Sequence, residues 1–145
     1  MTLCSGTDSF VRALELSAGV HNMEHLVACD SMPAAQTFIQ QNFHPKHLYG
    51  DISCTTAKSA LCFVCNSGSC TGIHAMLDDE TDAHVGAAGF PCPPYSLTRN
   101  DRFKADDDPF AHPAARPFLD IRNYLENAVQ PPRVFILENV AGVLC

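Results

Sequence analysis

No run of about 18 apolar residues occurs anywhere in this chain, so the sequence offers no helical membrane span. The N-terminus lacks the basic-then-apolar order of a secretory signal. Low-complexity tracts and internal repeats are missing as well, and disorder is not the default reading. Positive charge is scarce: 9 Lys and Arg stand against 16 Asp and Glu, a net charge of -7. That is the wrong sign for a surface that neutralises phosphates, so the basic face of any nucleic-acid partner's site is expected outside this chain. What is present is 145 residues, 46% of them hydrophobic, enough for one globular core. Eight cysteines without a secretory signal point to a reducing, intracellular setting and to buried thiols, metal ligands or a nucleophile rather than a disulfide scaffold.

The apolar runs are short. Thr2-Leu3-Cys4 ends a strand that turns through Gly6 into a helix capped by Asp8 or Ser9, with Phe10, Ala13, Leu14 and Leu16 as its apolar stripe. Leu26 to Cys29 reads as a second strand ending at Asp30, followed by a helix from Pro33 to about Gln41 carrying Ala34, Ala35, Phe38 and Ile39. His47-Leu48-Tyr49 ends at Gly50-Asp51, Val85 to Ala88 leads into Gly89-Phe90-Pro91-Cys92, and Val134 to Leu137 leads into Glu138-Asn139. Between the last two, Pro117 to Val129 can form a helix with Phe118, Ile121 and Leu125 on one face. Short apolar runs alternating with helical patterns, each closed by a polar residue, predict an open, mostly parallel α/β sheet with helices on both faces. Ligands bind such sheets at the carboxyl ends of the strands, where Gly6, Asp30, Asp51, Cys92 and Glu138 all fall.

Gly89-Phe90-Pro91-Cys92-Pro93-Pro94-Tyr95-Ser96 is the most informative segment, because a cysteine between prolines just past a buried strand is held rigidly in the ligand crevice. This segment resembles the Pro-Cys motif of the cytosine-C5 DNA methyltransferases. Glu138-Asn139-Val140 resembles the family's second catalytic motif, Asp30 ahead of Asn42-Phe43 its ribose-holding acid, and Gly50-Asp51-Ile52 its adenine-contacting motif. Singly these are weak, but their joint order along the chain is specific. The resemblance implies a Rossmann-like domain that binds S-adenosylmethionine through Ser5, Gly6, Asp30, Asp51, Ile52 and Pro91, with Cys92 and Glu138 catalytic. It also implies DNA as partner, transfer RNA less so, and a nuclear setting in a eukaryote. It covers essentially the whole chain yet only about the first half of a usual catalytic domain: the base-contacting arginine motif, the target-recognition region and the segment that closes the cofactor site are not found. A catalytically silent remnant is the rival reading. Asp8 stands where the family usually has a second glycine, and Pro94 where many members have a polar residue.

The implied chemistry suits these residue types. Thiolate addition at carbon 6 turns cytosine into an enamine-like nucleophile, and a carboxylic acid at N3, if burial raises its pKa, favours the addition. Two further stretches break the strand-helix rhythm. Residues from about 53 to 84 read as a surface insertion in which Cys62, Cys65, Cys70 and His74 have the spacing of a structural zinc site, with unligated surface cysteines as the alternative. Leu97 to Pro113 reads as a long loop beside Cys92 that could serve as a lid.

Overall fold

A computed structural model describes residues 1–19, 23–65, 70–71, 83–97, 108, 110–111 and 113–141, with backbone alone at 70, 71 and 94. Its elements follow in the order β1 (Thr2–Leu3), α1 (Ser9–Ala18), β2 (Val27–Cys29), α2 (Pro33–Asn42), β3 (His47–Tyr49), β4 (Ser59–Ala60), β5 (Cys70–Thr71), β6 (Val85–Gly89), α3 (Arg116–Asn127) and β7 (Val134–Glu138). One-turn 3₁₀ segments occupy Ile52–Thr55, Pro93–Tyr95 and Pro113–Ala115. Five strands form a wholly parallel sheet in the order β3-β2-β1-β6-β7, and β4 and β5 pair antiparallel beside it. The chain winds outward from β1 to β3, then returns across β1 to β6 and β7. The order therefore reverses between β1 and β6, the point at which open α/β sheets form their ligand crevice.

The central strands are buried on both faces, as parallel strands between helices must be: Leu3, Val27, Ala28, Cys29, Leu48 and Tyr49 are inaccessible or nearly so. Helix α3 closes one face with Ile121 and Tyr124, both fully buried, and Phe118 and Leu125 pack beside them. Helix α2 closes the other with Ala35 and Ile39. No described helix is long and apolar enough to cross a membrane.

Two expectations from the sequence need correction. Helix α1 buries Val11 rather than the stripe through Ala13 and Leu16; Leu16 is 73% exposed, and Phe10 and Leu14 are half-buried over a cleft of about 440 Å³ against Met1, Thr2 and His25. The stretch after Asp51 is not wholly superficial either. Its first turn sinks Cys54 and Thr55 into the core beneath α3, and Cys62 is 2% exposed. Of the expected lid, residues 98–107, 109 and 112 lie outside the described residues, as do 66–69 and 72–82 of the Cys-rich stretch.

Candidate active site

The carboxyl ends of β1, β2, β3 and β6 and the start of α3 enclose a cavity of about 700 Å³, lined among others by Cys4, Gly6, Asp30, Asp51, Ile52, Pro91, Arg116 and Asp120. That volume falls in the range of small-molecule sites and is sufficient for a nucleoside-sized ligand. Five of the six residues expected to hold a cofactor thus line one space. Ser5 is the sixth, and its hydroxyl is turned inward to Thr2 Oγ1 (3.0 Å) and the Cys29 carbonyl (3.2 Å), tying β1 to β2.

The turn after β1 needs left-handed backbone at three places: Cys4 (φ 51°), Gly6 (φ 55°) and Asp8 (φ 54°). Gly6 meets this need without strain, and a Cβ built there would meet nothing within 4 Å, so the backbone is bare toward the cavity. Asp8 occupies the glycine-like position because aspartate tolerates this region better than most residues. It stands at the N-cap of α1 but does not cap: its side chain makes no bond to the helix and is buried, 3.8 Å from His25 Nε2. Burial pushes the Asp8 carboxyl up to about 6, and burial likewise pushes His25 down to about 4.

Asp30 is not the cap of α2, a position held by Met32. Its carboxylate spans two turns instead, Oδ2 accepting from Gly6 N–H at 2.7 Å and Oδ1 from Met32 N–H at 2.8 Å. A carboxylate has about four acceptor sites, so these bonds fix its position and leave lone pairs for the hydroxyls of a ligand. Asp51 accepts from Ser53 N–H at 2.7 Å, and the hydrogen bonds to Ser53 hold its carboxyl below the usual carboxylate range. The far wall was not apparent in the sequence. Arg116 Nε donates to both oxygens of the buried Asp120 at 2.9 Å, a clamp at the start of α3 whose only sequence trace is the i, i+4 spacing.

Cys92 is exposed at the tip of the turn after β6. The turn is pinned on either side by buried aromatics, Phe90 and Tyr95, whose rings meet edge to face at 5.8 Å, and Tyr95 N–H donates to the Cys92 carbonyl at 2.9 Å. Buried thiols nearby are different in kind. Burial and the neighbouring Asp30, Asp120 and Asp51 push Cys4 up to about 12, and a hydrogen bond from Cys54 with burial raises Cys29 well above an ordinary thiol. Neither can supply a thiolate near neutral pH.

Glu138 pairs in register with Gly89, three residues before Cys92, and a Cβ at Gly89 would lie 3.2 Å from Glu138 Oε2. A side chain at 89 would thus crowd the Glu138 carboxylate by a few tenths of an ångström. Glu138 itself is exposed, which corrects the burial expected for it: β7 is the outer strand of the sheet, and Val134, Ile136 and Leu137 beside it are half exposed. Asn139, quoted in the motif but given no role from sequence, joins the Glu138 and Pro-Cys segments. Its Nδ2 donates to the Phe90 carbonyl at 3.0 Å, and its Oδ1 accepts from Val140 N–H at 2.8 Å.

Of the four expected metal ligands, Cys62 and Cys65 come together, while the Cys70 side chain and His74 lie outside the described residues. Burial pushes the Cys62 thiol up, but main-chain hydrogen bonds around Cys65 and Val64 outweigh it and hold the thiol below its ordinary value. The third member of the cluster is His47, which the sequence did not suggest.

Comparison with known proteins agrees with the geometry. The family model for C-5 cytosine-specific DNA methylase matches residues 1–145. A DNA (cytosine-5-)-methyltransferase, DMT5, from Cryptococcus neoformans var. grubii is 30% identical over 149 aligned positions, covering 97% of this chain. The chain spans only 6% of that relative's length. With a parallel sheet whose strand ends carry the motifs in order, and a family match along its whole length, the chain belongs to the C-5 cytosine-specific DNA methylases.

Proposed function

We propose that this chain provides the S-adenosylmethionine site and the cysteine nucleophile of a DNA cytosine-C5 methyltransferase, acting inside the cell and, in a eukaryote, in the nucleus. The observation that carries the reading is the register of β6 with β7, which sets Glu138 against Gly89 while Asn139 grips the Phe90 carbonyl, so that two motifs far apart in sequence meet at one strand end. The cavity beside them fits the methyl donor: bare backbone at Gly6, a fixed carboxylate at Asp30, and a second at Asp51. Bound there, the donor supplies an electrophilic sulfonium methyl.

The chain's own residues do the rest. Cys92, as thiolate, adds its sulfur to carbon 6 of a cytosine drawn out of the duplex, and the displaced π electrons make carbon 5 nucleophilic. Glu138, in its protonated form, donates to N3 and offsets the negative charge that develops there; once carbon 5 carries the methyl, loss of the carbon 5 proton to solvent expels the Cys92 thiolate and restores the ring. Asp30 and Asp51 orient the donor, and Pro91 and Pro93 keep the Cys92 turn from relaxing. With a net charge of -7, the phosphate-binding surface belongs to other parts of the protein.

Trapping tests this reading. The protein containing this chain, incubated with S-adenosylmethionine and duplex DNA bearing 5-fluorocytosine, should form a covalent adduct that Cys92→Ser abolishes. Equal adduct from Cys92→Ser would overturn the assignment of the nucleophile. Adduct on fluorinated transfer RNA but not on DNA would overturn the substrate, and adduct on neither would favour a silent remnant.

A further inference from the structure

We infer that His47, Cys62 and Cys65 bind a structural zinc ion that fastens the Cys-rich segment to the outer edge of the sheet. The Cys65 and Cys62 sulfurs lie 3.2 and 3.8 Å from the same ring nitrogen, Nδ1 of His47, and the three ligand atoms all fall within 4.8 Å of one another. Zinc bonds of about 2.3 Å to sulfur and 2.1 Å to nitrogen, at tetrahedral angles, place nitrogen and sulfur about 3.6 Å apart, and the two observed distances bracket that value. Two thiolates and an imidazole are also the donor set that favours zinc over magnesium or calcium.

The position of the site shows what the ion would hold. His47 begins β3, the edge strand opposite β7 in the described sheet, and its ring stacks on Tyr49. Cys62 forms a bridge with Tyr49, Phe63 N–H donates to the Leu48 carbonyl at 2.8 Å, and Gln40 reaches the Phe63 carbonyl at 3.0 Å. Residues 61–65 thus lie along the strand edge, and Phe63 presses so closely on Gly50 that a Cβ there would come within 2.9 Å of its ring. The metal would cover an open sheet edge that otherwise invites pairing with another chain. Its ligands come from two elements 15 residues apart in sequence, so it is a tertiary staple rather than a knuckle closed on itself.

The inference is independent of the reaction proposed above, and metal content tests it directly. Protein purified under reducing conditions should carry one zinc per chain, and cobalt(II) substitution should give the intense visible absorption of a tetrahedral thiolate site. Removing zinc with a chelator from the unmodified protein should speed exchange of the Phe63 amide at least tenfold, a readout that needs no variant to fold. His47→Ala, Cys62→Ser and Cys65→Ser should each lose the metal. Loss in Cys70→Ser or His74→Ala would name the fourth ligand, and retention in both would leave that corner to solvent; either supports the site. Zinc absent from the purified protein would overturn it. So would zinc kept at undiminished affinity by His47→Ala but lost from both Cys70→Ser and His74→Ala, because the ion would then sit in the local sequence motif without the sheet.

Discussion

Replacing Asp8 by asparagine should stabilise the protein at neutral pH, and by an amount that depends on pH in a specified way. Asp8 is 1% exposed and its carboxyl rises from 3.8 to about 6 on folding. The folded state holds this proton more tightly than the unfolded state, so Asp8 makes stability fall as pH rises from about 4 to 6; the rise corresponds to about 3 kcal/mol at 1.36 kcal/mol per pH unit. His25, beside it, drops from 6.5 to about 4 and does the opposite, making stability climb with pH through nearly the same window by about 3 kcal/mol. The two slopes nearly cancel in the parent. Thr2, the Met1 amine and Asp30 also face Asp8, but their effects are common to both proteins until Asp8 itself ionises. Urea denaturation at several pH values should therefore give equal stabilities for parent and Asp8→Asn near pH 4, and a gap opening to about 3 kcal/mol in favour of the variant by pH 7. A flat difference would refute the buried-carboxyl argument. A variant less stable at pH 7 would mean that Asp8 is ionised and paired with protonated His25 across their 3.8 Å separation.

Three further outcomes are expected at the site. Asp30→Ala should weaken S-adenosylmethionine binding at least tenfold by calorimetry, about 1.4 kcal/mol, since it removes both the ligand's acceptor and the bond that holds Gly6; unchanged affinity would take Asp30 out of the site. Glu138→Ala should slow adduct formation with fluorinated DNA by roughly ten- to a hundredfold while leaving cofactor binding nearly intact, measured by quenched-flow trapping. Asn139→Ala should lower the same rate, because the Pro-Cys turn loses its tie at the Phe90 carbonyl, and should leave DNA affinity within about twofold by fluorescence anisotropy.

The strands were legible because each is a short apolar run stopped by a polar residue; His47–Tyr49 and the strand ending at Cys29 fall where the pattern puts them. Helix α1 turns Val11 inward and leaves Leu16 exposed, because which residues a helix buries depends on the distant elements opposite it, here Met1, Thr2, His25 and Val85. The cavity residues followed from the rule that ligands sit at strand ends, which needs only local sequence. Arg116, Asp120 and the His47 arm of the metal cluster did not, because each depends on which distant element packs opposite, and no window of spacing carries that. Glu138 was expected to be buried as a catalytic acid; its motif was readable, but its exposure depends on β7 being the last strand of the described sheet.

The pairing of Gly89 with Glu138 also sets which parts of this chain the site depends on. The Cys92 turn and Glu138 are aligned by a ladder of parallel strand pairing that runs from Val85 with Val134 up to the site, not by the connection between them. Whatever lengthens or shortens that connection leaves the alignment untouched, whereas a slip of one residue in β7 would turn Glu138 to the opposite face and break the tie from Asn139. The site therefore rests on the register of these two strands rather than on the length of chain that joins them.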